Sequence, residues 1–129
     1  MNTLTASERE HLTSMLDRRE KVLRDEIRAG LKRMRTEGYE DLLSGTSDAG
    51  DESLASLMTD ITNAEVVRDA TELKDILAAN ARLTDGTYGL CIDCDAPIAY
   101  ARLVAYPTAK RCVACQQIHE EKRSPARRT

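Results

Sequence analysis

The chain has 129 residues and a formal net charge of −3; 41% of its residues are apolar and 32% are charged. It contains no Trp, no Phe and four Tyr, so it lacks the aromatic side chains that usually supply much of a globular core. This composition argues against a large compact core and favours long amphipathic helices. No N-terminal signal region and no stretch approaching the roughly 20 apolar residues of a membrane span are visible. We therefore expect a cytoplasmic protein that does not enter a membrane.

Residues 6–38 carry the pattern of one long helix. Thr5 and Glu8 have the spacing of a capping box, which starts a helix near residue 6, and Gly38 is a suitable stop. Apolar residues recur at helical spacing along one face, and charged residues occupy the other. The apolar face comprises Leu12, Leu16, Leu23, Ile27, Leu31 and Met34, and the charged face comprises Arg18, Arg19, Glu20, Lys21, Arg24 and Asp25.

Residues 39–50 have the composition of a connection, and a second helical pattern follows from Leu54 to about Gly86. Each helix of about 32 residues has a length of about 48 Å, and neither buries its apolar stripe alone. We predict a mainly α fold in which residues 1–86 form a long antiparallel helical hairpin, or coiled coil. A compact helical bundle is the alternative. The second stripe comprises Leu54, Leu57, Met58, Ile61, Val67, Leu73, Leu77 and Leu83.

The acidic residues are concentrated in one short segment of the chain. Residues 37–60 hold seven acids and no base, so the turn of the predicted hairpin, near residues 44–53, is an acidic tip. Residues 87–129 hold seven bases and four acids and are mildly basic. The last six residues, 124–129, have the composition of a flexible basic tail.

Four cysteines lie in two pairs, Cys91–Cys94 and Cys112–Cys115, with 17 residues between the pairs. Each C-x-x-C pair places two sulfurs on one tight loop, and four thiolates form the closed tetrahedral set of a structural zinc site. We predict that residues 87–123 form a C4 zinc finger that binds one Zn²⁺ and ends in a short helix over residues 117–123. His119 is expected to be an exposed helix residue and not a ligand.

Other uses of four cysteines fit less well. A redox C-x-x-C motif requires a βαβ setting, and a disulfide pair requires an oxidising compartment. Four thiolates can also bind an iron–sulfur cluster, although such a cluster is less common in this arrangement. Because four thiolates leave no open coordination position, we expect a metal that supports folding and takes no part in catalysis.

The cysteine region resembles the zinc finger of the DksA/TraR family. The resemblance rests on residues 88–98 (YGLCIDCDAPI), 102–108 (RLVAYPT) and 112–116 (CVACQ), preceded by two long helices in the same order. It implies a regulator of transcription initiation that binds bacterial RNA polymerase, with the zinc module at the rim of the secondary channel. It also implies a D-x-x-D pair at the coiled-coil tip, near the polymerase active centre, which matches Asp48 and Asp51. Helix capping is the alternative role for these two aspartates.

Further family positions match only in part. Arg68 matches an arginine that contacts polymerase in the family; a solvated arginine is the alternative. Asp75, Tyr106 and Gln116 replace basic residues that help to bind ppGpp, the nucleotide of the stringent response, so we expect weak or absent ppGpp synergy. Asp95 replaces a glycine, and because Asp tolerates left-handed backbone better than most residues, we expect the loop to be retained.

Two other functions compete with the polymerase regulator. A zinc-ribbon nucleic-acid-binding protein is the first, but residues 87–129 lack the concentrated basic face of a DNA reader. A transcript-cleavage enzyme whose tip acids recruit a metal is the second, but the chain has no nucleophile–base pair, phosphate loop or open metal site. We therefore expect a non-enzymatic, monomeric protein without sequence-specific DNA binding.

Overall fold

The computed structural model describes residues 4–33 and 63–123, and the predicted mainly α fold is confirmed over these residues. Four helices are present in this part of the chain: α1 (Ala6–Arg33), α2 (Ala64–Asp85), α3 (Tyr100–Ala105) and α4 (Val113–Arg123). An isolated antiparallel bridge between Leu90 and Pro97 is the only strand-like pairing in the described ranges. The chain divides into two compact units, one formed by residues 14–78 and the other by residues 1–13 and 79–129.

Helix α1 begins at the predicted capping box. The backbone N–H of Glu8 donates to the hydroxyl oxygen of Thr5 at 3.0 Å, and the backbone N–H of Thr5 donates to the carboxylate of Glu8 at 3.0 Å. Two backbone donors that would have no partner within the helix are thereby satisfied reciprocally. The helix consequently starts at Ala6, as the sequence predicts.

Helix α2 begins at Ala64, ten residues later than the predicted start at Leu54. The side-chain oxygen of Asn63 accepts hydrogen bonds from the backbone N–H groups of Glu65 (3.0 Å) and Val66 (3.1 Å). Asn63 is therefore the cap of a helix and not a residue inside one. The predicted stop is confirmed, because α2 ends at Asp85 and Gly86 follows with a φ of 84°. The acidic tip, the connection and the first part of the second stripe lie outside the described residues.

Within the unit formed by residues 14–78, α1 and α2 run antiparallel. The guanidinium of Arg19 donates to the carboxylate of Glu72 at 2.7 and 2.8 Å. Further along α1, Ala29 lines a surface groove together with Glu65, which lies about two turns before Glu72 on α2. A later residue of one helix thus meets an earlier residue of the other.

As far as Leu31, the buried stripe of α1 follows the prediction; Met34 and the predicted stop at Gly38 lie outside the described residues. The buried stripe of α2 is rotated from the predicted one. Leu16, Leu23, Ile27 and Leu31 are all at most 3% exposed. On α2 the predicted Val67 and Leu77 are only half-buried, and the fully buried side chains are Val66, Ala70, Leu73 and Ile76. A stripe drawn through the large apolar residues misses Ala70, whose short side chain is fully buried.

Arg24 departs from the predicted charged face of α1. Only 5% of it is exposed, and its Nε donates to the carboxylate of Glu20 at 3.1 Å. The long aliphatic part of an arginine covers apolar surface while its head group keeps polar contacts. Arg24 therefore lies on the same side of α1 as Leu23 and Ile27.

The unit formed by residues 1–13 and 79–129 has a small core of its own, which contains Leu12, Ala79, Tyr88, Ile98, Leu103 and Ala109. The hydroxyl of buried Tyr88 donates to the carbonyl oxygen of Pro107 at 2.7 Å. Two helical boundaries differ from the prediction: α3 was not predicted between Pro97 and Pro107, and α4 begins at Val113 instead of residue 117. None of the helices in the described ranges combines the length and the apolarity that crossing a bilayer requires.

Candidate metal centre

The first cysteine loop is a tight turn closed by backbone hydrogen bonds. The N–H of Asp95 donates to the carbonyl oxygen of Cys91 at 2.9 Å, and the N–H of Cys91 donates to the carbonyl oxygen of Ala96 at 2.8 Å. Asp95 has a φ of 64°, and no other non-glycine residue in the described ranges has a positive φ. The aspartate thus adopts the left-handed conformation predicted for it from the sequence.

The second cysteine loop runs into helix α4. Cys112 directly precedes Val113, the first residue of α4, and its carbonyl oxygen accepts from the N–H of Gln116 at 2.9 Å. Cys115 therefore lies in the first turn of the helix. The two loops are tied together by the N–H of Ile92, which donates to the carbonyl oxygen of Lys110 at 2.9 Å.

The sulfur geometry fits a tetrahedral metal ion. The Sγ atoms of Cys91, Cys94, Cys112 and Cys115 all lie within 4.8 Å of one another, and none of the four is in a disulfide. A tetrahedron with Zn–S bonds of about 2.3 Å has sulfur–sulfur edges of about 3.8 Å. The distance between the Sγ atoms of Cys94 and Cys112 is 3.8 Å. The structure thus brings the four predicted ligands together, and His119 is not part of the group.

The thiols ionise unequally. Burial disfavours the charged sulfur of Cys91, but three backbone N–H groups donate to it and lower its pKa to about 6; they belong to Cys112, Cys94 and Asp93. At the other extreme, hydrogen bonds with the neighbouring thiols raise the pKa of Cys115 to about 12. Each negative sulfur opposes ionisation of the next, so four thiolates require a cation at their centre.

Among the other predicted residues, Asp48 and Asp51 lie outside the described residues. Arg68 is exposed on α2, and Asp75 is half-buried on the same helix. Tyr106 is 47% exposed, and its ring lies 5.7 Å from the guanidinium carbon of Arg102.

Gln116 is the third of the residues that replace a basic residue of the family, and it is half-buried in the first turn of α4. Its side-chain amide donates to the carboxylate of Glu120 at 3.3 Å. The local partner of Gln116 is therefore an acid, which adds no positive charge at this position.

Comparison with known proteins identifies the cysteine region. Residues 86–121 match the family model described as the prokaryotic dksA/traR C4-type zinc finger. An uncharacterised 8.2 kDa protein of Escherichia phage P2 is 45% identical over 56 residues, which are 43% of this chain and 76% of that protein. The chain belongs to the DksA/TraR C4-type zinc-finger family. It therefore holds one zinc ion between its two cysteine loops.

Longer matches extend the likeness beyond the DksA/TraR zinc finger. A Caulobacter vibrioides protein named RNA polymerase-binding transcription factor DksA is 34% identical over 87 residues, which are 67% of this chain. The matched stretch spans 56% of that relative's own length. The structure of transcription factor DksA2 from Pseudomonas aeruginosa has a TM-score of 0.66 and 24% identity, with 92% of this chain and 87% of that chain covered. The fold is therefore that of DksA2.

The two cysteine loops of this family member are joined by an ion pair that was not predicted from the sequence. The Nε of Arg111 donates to the carboxylate of Asp93 at 2.8 Å. Asp93 lies inside the first C-x-x-C pair and Arg111 directly precedes the second, so opposite charges at these two places were the available sequence indication.

Proposed function

We propose that this chain is a transcription regulator that binds bacterial RNA polymerase through the secondary channel and modulates initiation with an acidic coiled-coil tip. The observation that carries the proposal is the 34% identity over 87 residues to a protein named RNA polymerase-binding transcription factor DksA, together with the zinc-finger match. The fold of DksA2 and the antiparallel pairing of α1 with α2 support it. In this proposal the zinc holds the module together and is not an active centre.

Asp48 and Asp51 are the proposed tip residues of this regulator. The D-x-x-D spacing and the absence of any base between residues 37 and 60 favour a role that requires concentrated negative charge. The test combines co-purification with RNA polymerase and an in vitro initiation assay on the Asp48→Asn/Asp51→Asn double variant. We expect binding to be retained and regulation to be lost.

The matched control removes two neighbouring charges from the same acidic segment, in Glu40→Gln/Asp41→Asn. This control is expected to regulate like the parent protein. Unchanged regulation by the Asp48/Asp51 variant contradicts the tip assignment. A parent protein that fails to bind polymerase contradicts the whole proposal.

Arg68 is proposed as a polymerase contact on α2. It is exposed and lines the surface groove that also contains Glu26 and Asp69. Arg68→Ala is expected to weaken co-purification with polymerase. Lys74→Ala removes another exposed cation of the same helix and is the control. Equal effects of the two substitutions contradict a specific contact for Arg68 and favour a solvated arginine.

Weak or absent synergy with ppGpp is the third part of the proposal. A polyphosphate gains most from arginine and lysine donors, and Asp75, Tyr106 and Gln116 offer none. An initiation assay with and without ppGpp tests this. Strong synergy with the parent protein contradicts it.

Three arginines of the unit formed by residues 1–13 and 79–129 give little support to the alternative of a nucleic-acid-binding zinc ribbon. Arg111 pairs with Asp93, while Arg102 and Arg82 donate to the backbone carbonyl oxygens of Arg111 and Thr108. Salt-sensitive binding to duplex DNA in the absence of polymerase is the result that favours the alternative. We further propose a monomer of the cytoplasm without enzymatic activity; cleavage of backtracked RNA contradicts the last point.

A further inference from the structure

The Asp93–Arg111 ion pair connects the two loops that supply the zinc ligands. Arg111 Nε donates to Asp93 Oδ2 at 2.8 Å. The side chain of Arg111 is only 12% exposed, whereas that of Asp93 is 45% exposed. Asp93 lies between the two ligands of one loop, and Arg111 is the residue before the first ligand of the other. The contact therefore links the two loops directly.

Hydrogen bonds hold the backbone at Arg111 and at the residue before it. The Nε of Arg102 donates to the carbonyl oxygen of Arg111 at 3.2 Å. One residue earlier, the carbonyl oxygen of Lys110 accepts from the N–H of Ile92, which lies in the first loop beside Asp93. Because the chain on both sides of the contact is already held, forming the ion pair orders little beyond the two side chains.

Charge gives the two partners unequal roles. Four thiolates around a divalent zinc ion leave the centre with a net negative charge. The carboxylate of Asp93 adds a further negative charge beside it, and Arg111 neutralises that carboxylate. Removing Arg111 exposes the centre to an unopposed carboxylate, whereas removing the Asp93 charge leaves a cation next to an anionic centre.

We infer that Asp93 and Arg111 are a positioning pair that holds the two cysteine loops around the zinc ion and slows its release. Neither residue is a ligand. Arg111 bridges the loops and cancels the charge of Asp93, so its loss is the more damaging of the two. Residues that hold metal ligands in place typically change metal affinity about 10–100-fold when they are substituted.

The test measures zinc release from the zinc-loaded full chain, challenged with EDTA and followed with a coloured zinc indicator. We expect Arg111→Gln to release zinc about tenfold faster than the parent protein. Asp93→Asn is expected to stay within about threefold, and the double variant Asp93→Asn/Arg111→Gln to be slower than Arg111→Gln alone. This order distinguishes neutralisation of Asp93 from a purely mechanical contact, in which the double variant is at least as fast as Arg111→Gln.

Lys110→Gln is the matched control, because Lys110 is the adjacent exposed cation and is in no ion pair in the described part of the chain. It is expected to release zinc at the parent rate. Arg111→Lys, which keeps the charge but not the planar donor group, is expected to lie between the parent and Arg111→Gln, and it replaces Arg111→Gln if that variant is purified without metal. Equal release from the Arg111 variants and Lys110→Gln overturns the inference, as does a double variant that is no slower than Arg111→Gln.

Discussion

Arg19 of α1 and Glu72 of α2 form an ion pair between the helices of the unit formed by residues 14–78, through hydrogen bonds of 2.7 and 2.8 Å from Nε and Nη2 to the two carboxylate oxygens. The side chains are 46% and 41% exposed. A two-point contact between an arginine and a carboxylate favours one relative position of the two helices. Because both groups remain hydrated, however, the pair adds little to the free energy of unfolding.

The first prediction is a small, salt-sensitive coupling between these two residues. A double-mutant cycle of Arg19→Gln and Glu72→Gln, followed by urea unfolding, is expected to give about 0.2–1 kcal/mol at low salt and less at high salt. The control cycle pairs Arg19→Gln with Glu65→Gln, because Glu65 lies about two helical turns from Glu72. We expect this cycle to show no coupling energy. A coupling above about 2 kcal/mol contradicts the description of an exposed pair.

The contribution of this pair depends on pH. The hydrogen bond from Arg19 lowers the pKa of Glu72 below its usual 4.5. An acid whose pKa is lower in the folded protein stabilises it above the unfolded-state pKa, and this contribution is lost as the pH falls through the folded-state value. The coupling measured at neutral pH is therefore expected to disappear in acid.

Ionised Glu72 stabilises the folded protein, whereas ionised Asp69 is expected to destabilise it. This is the second prediction. Burial and the nearby Glu26 raise the pKa of Asp69, and the opposing effects of Arg19 and Arg68 do not cancel this. A raised pKa means that the ionised carboxylate destabilises the folded state. Asp69→Asn is therefore expected to stabilise the protein by about 0.5 kcal/mol at neutral pH.

The pH profile of unfolding checks the Asp69 assignment. The gain from Asp69→Asn must fade as the pH falls through the raised pKa, because the parent carboxyl is then neutral as well. Glu26→Gln removes one of the repelling charges and is expected to give a smaller gain in the same direction. A loss of stability on Asp69→Asn at neutral pH contradicts the prediction.

The sequence predicted the features that depend on neighbouring residues. Thr5 and Glu8 form the expected capping box, and the two C-x-x-C pairs approach as their spacing indicates. These features follow from local geometry. The left-handed backbone at Asp95 belongs to the same class, because Asp is one of the few residue types that tolerates it.

Features that depend on packing between distant segments were not predictable in this way. Arg24 has the character of a surface residue but is buried, and the stripe of α2 passes through Ala70, which a search for large apolar residues passes over. From the apolar periodicity alone, Asn63 fits the interior of a helix as readily as its N-cap. Its competition for backbone N–H groups decides the start of α2.

The third prediction concerns the left-handed residue of the first cysteine loop. Asp95→Val places a β-branched side chain at a φ of 64° and is expected to destabilise the zinc module by about 1–2 kcal/mol. In Asp95→Gly the relief of strain and the added entropy of the unfolded chain offset each other, which leaves a change of less than about 1 kcal/mol. Thermal unfolding of the zinc-loaded chain measures both.

Ala99→Val is the control for this prediction. Ala99 is exposed in the same module and has a φ of −58°, which valine adopts without strain. The control is therefore expected to unfold like the parent protein. If Asp95→Val and Ala99→Val unfold at the same temperature, backbone strain at Asp95 is not what limits substitution there.

The fourth prediction concerns Tyr88, which is 1% exposed and donates to the carbonyl oxygen of Pro107 at 2.7 Å. Tyr88→Phe keeps the ring but removes this hydrogen bond, and is expected to lower the free energy of unfolding by about 1 kcal/mol. Tyr106→Phe, at a tyrosine that is 47% exposed, is the control and is expected to change little.

Ionisation of Tyr88 offers an independent check on its burial. Burial raises the pKa of Tyr88 to about 12, and the positive charge of Arg82 opposes this only in part. The stabilising effect of the neutral hydroxyl is complete below the ordinary value of 10.0 and is lost as the pH rises to about 12. The tyrosinate absorbance of the parent minus that of Tyr88→Phe isolates this one group. A midpoint near 10.0 in the folded protein contradicts a buried hydroxyl bonded to Pro107, because a solvated phenol ionises at that value.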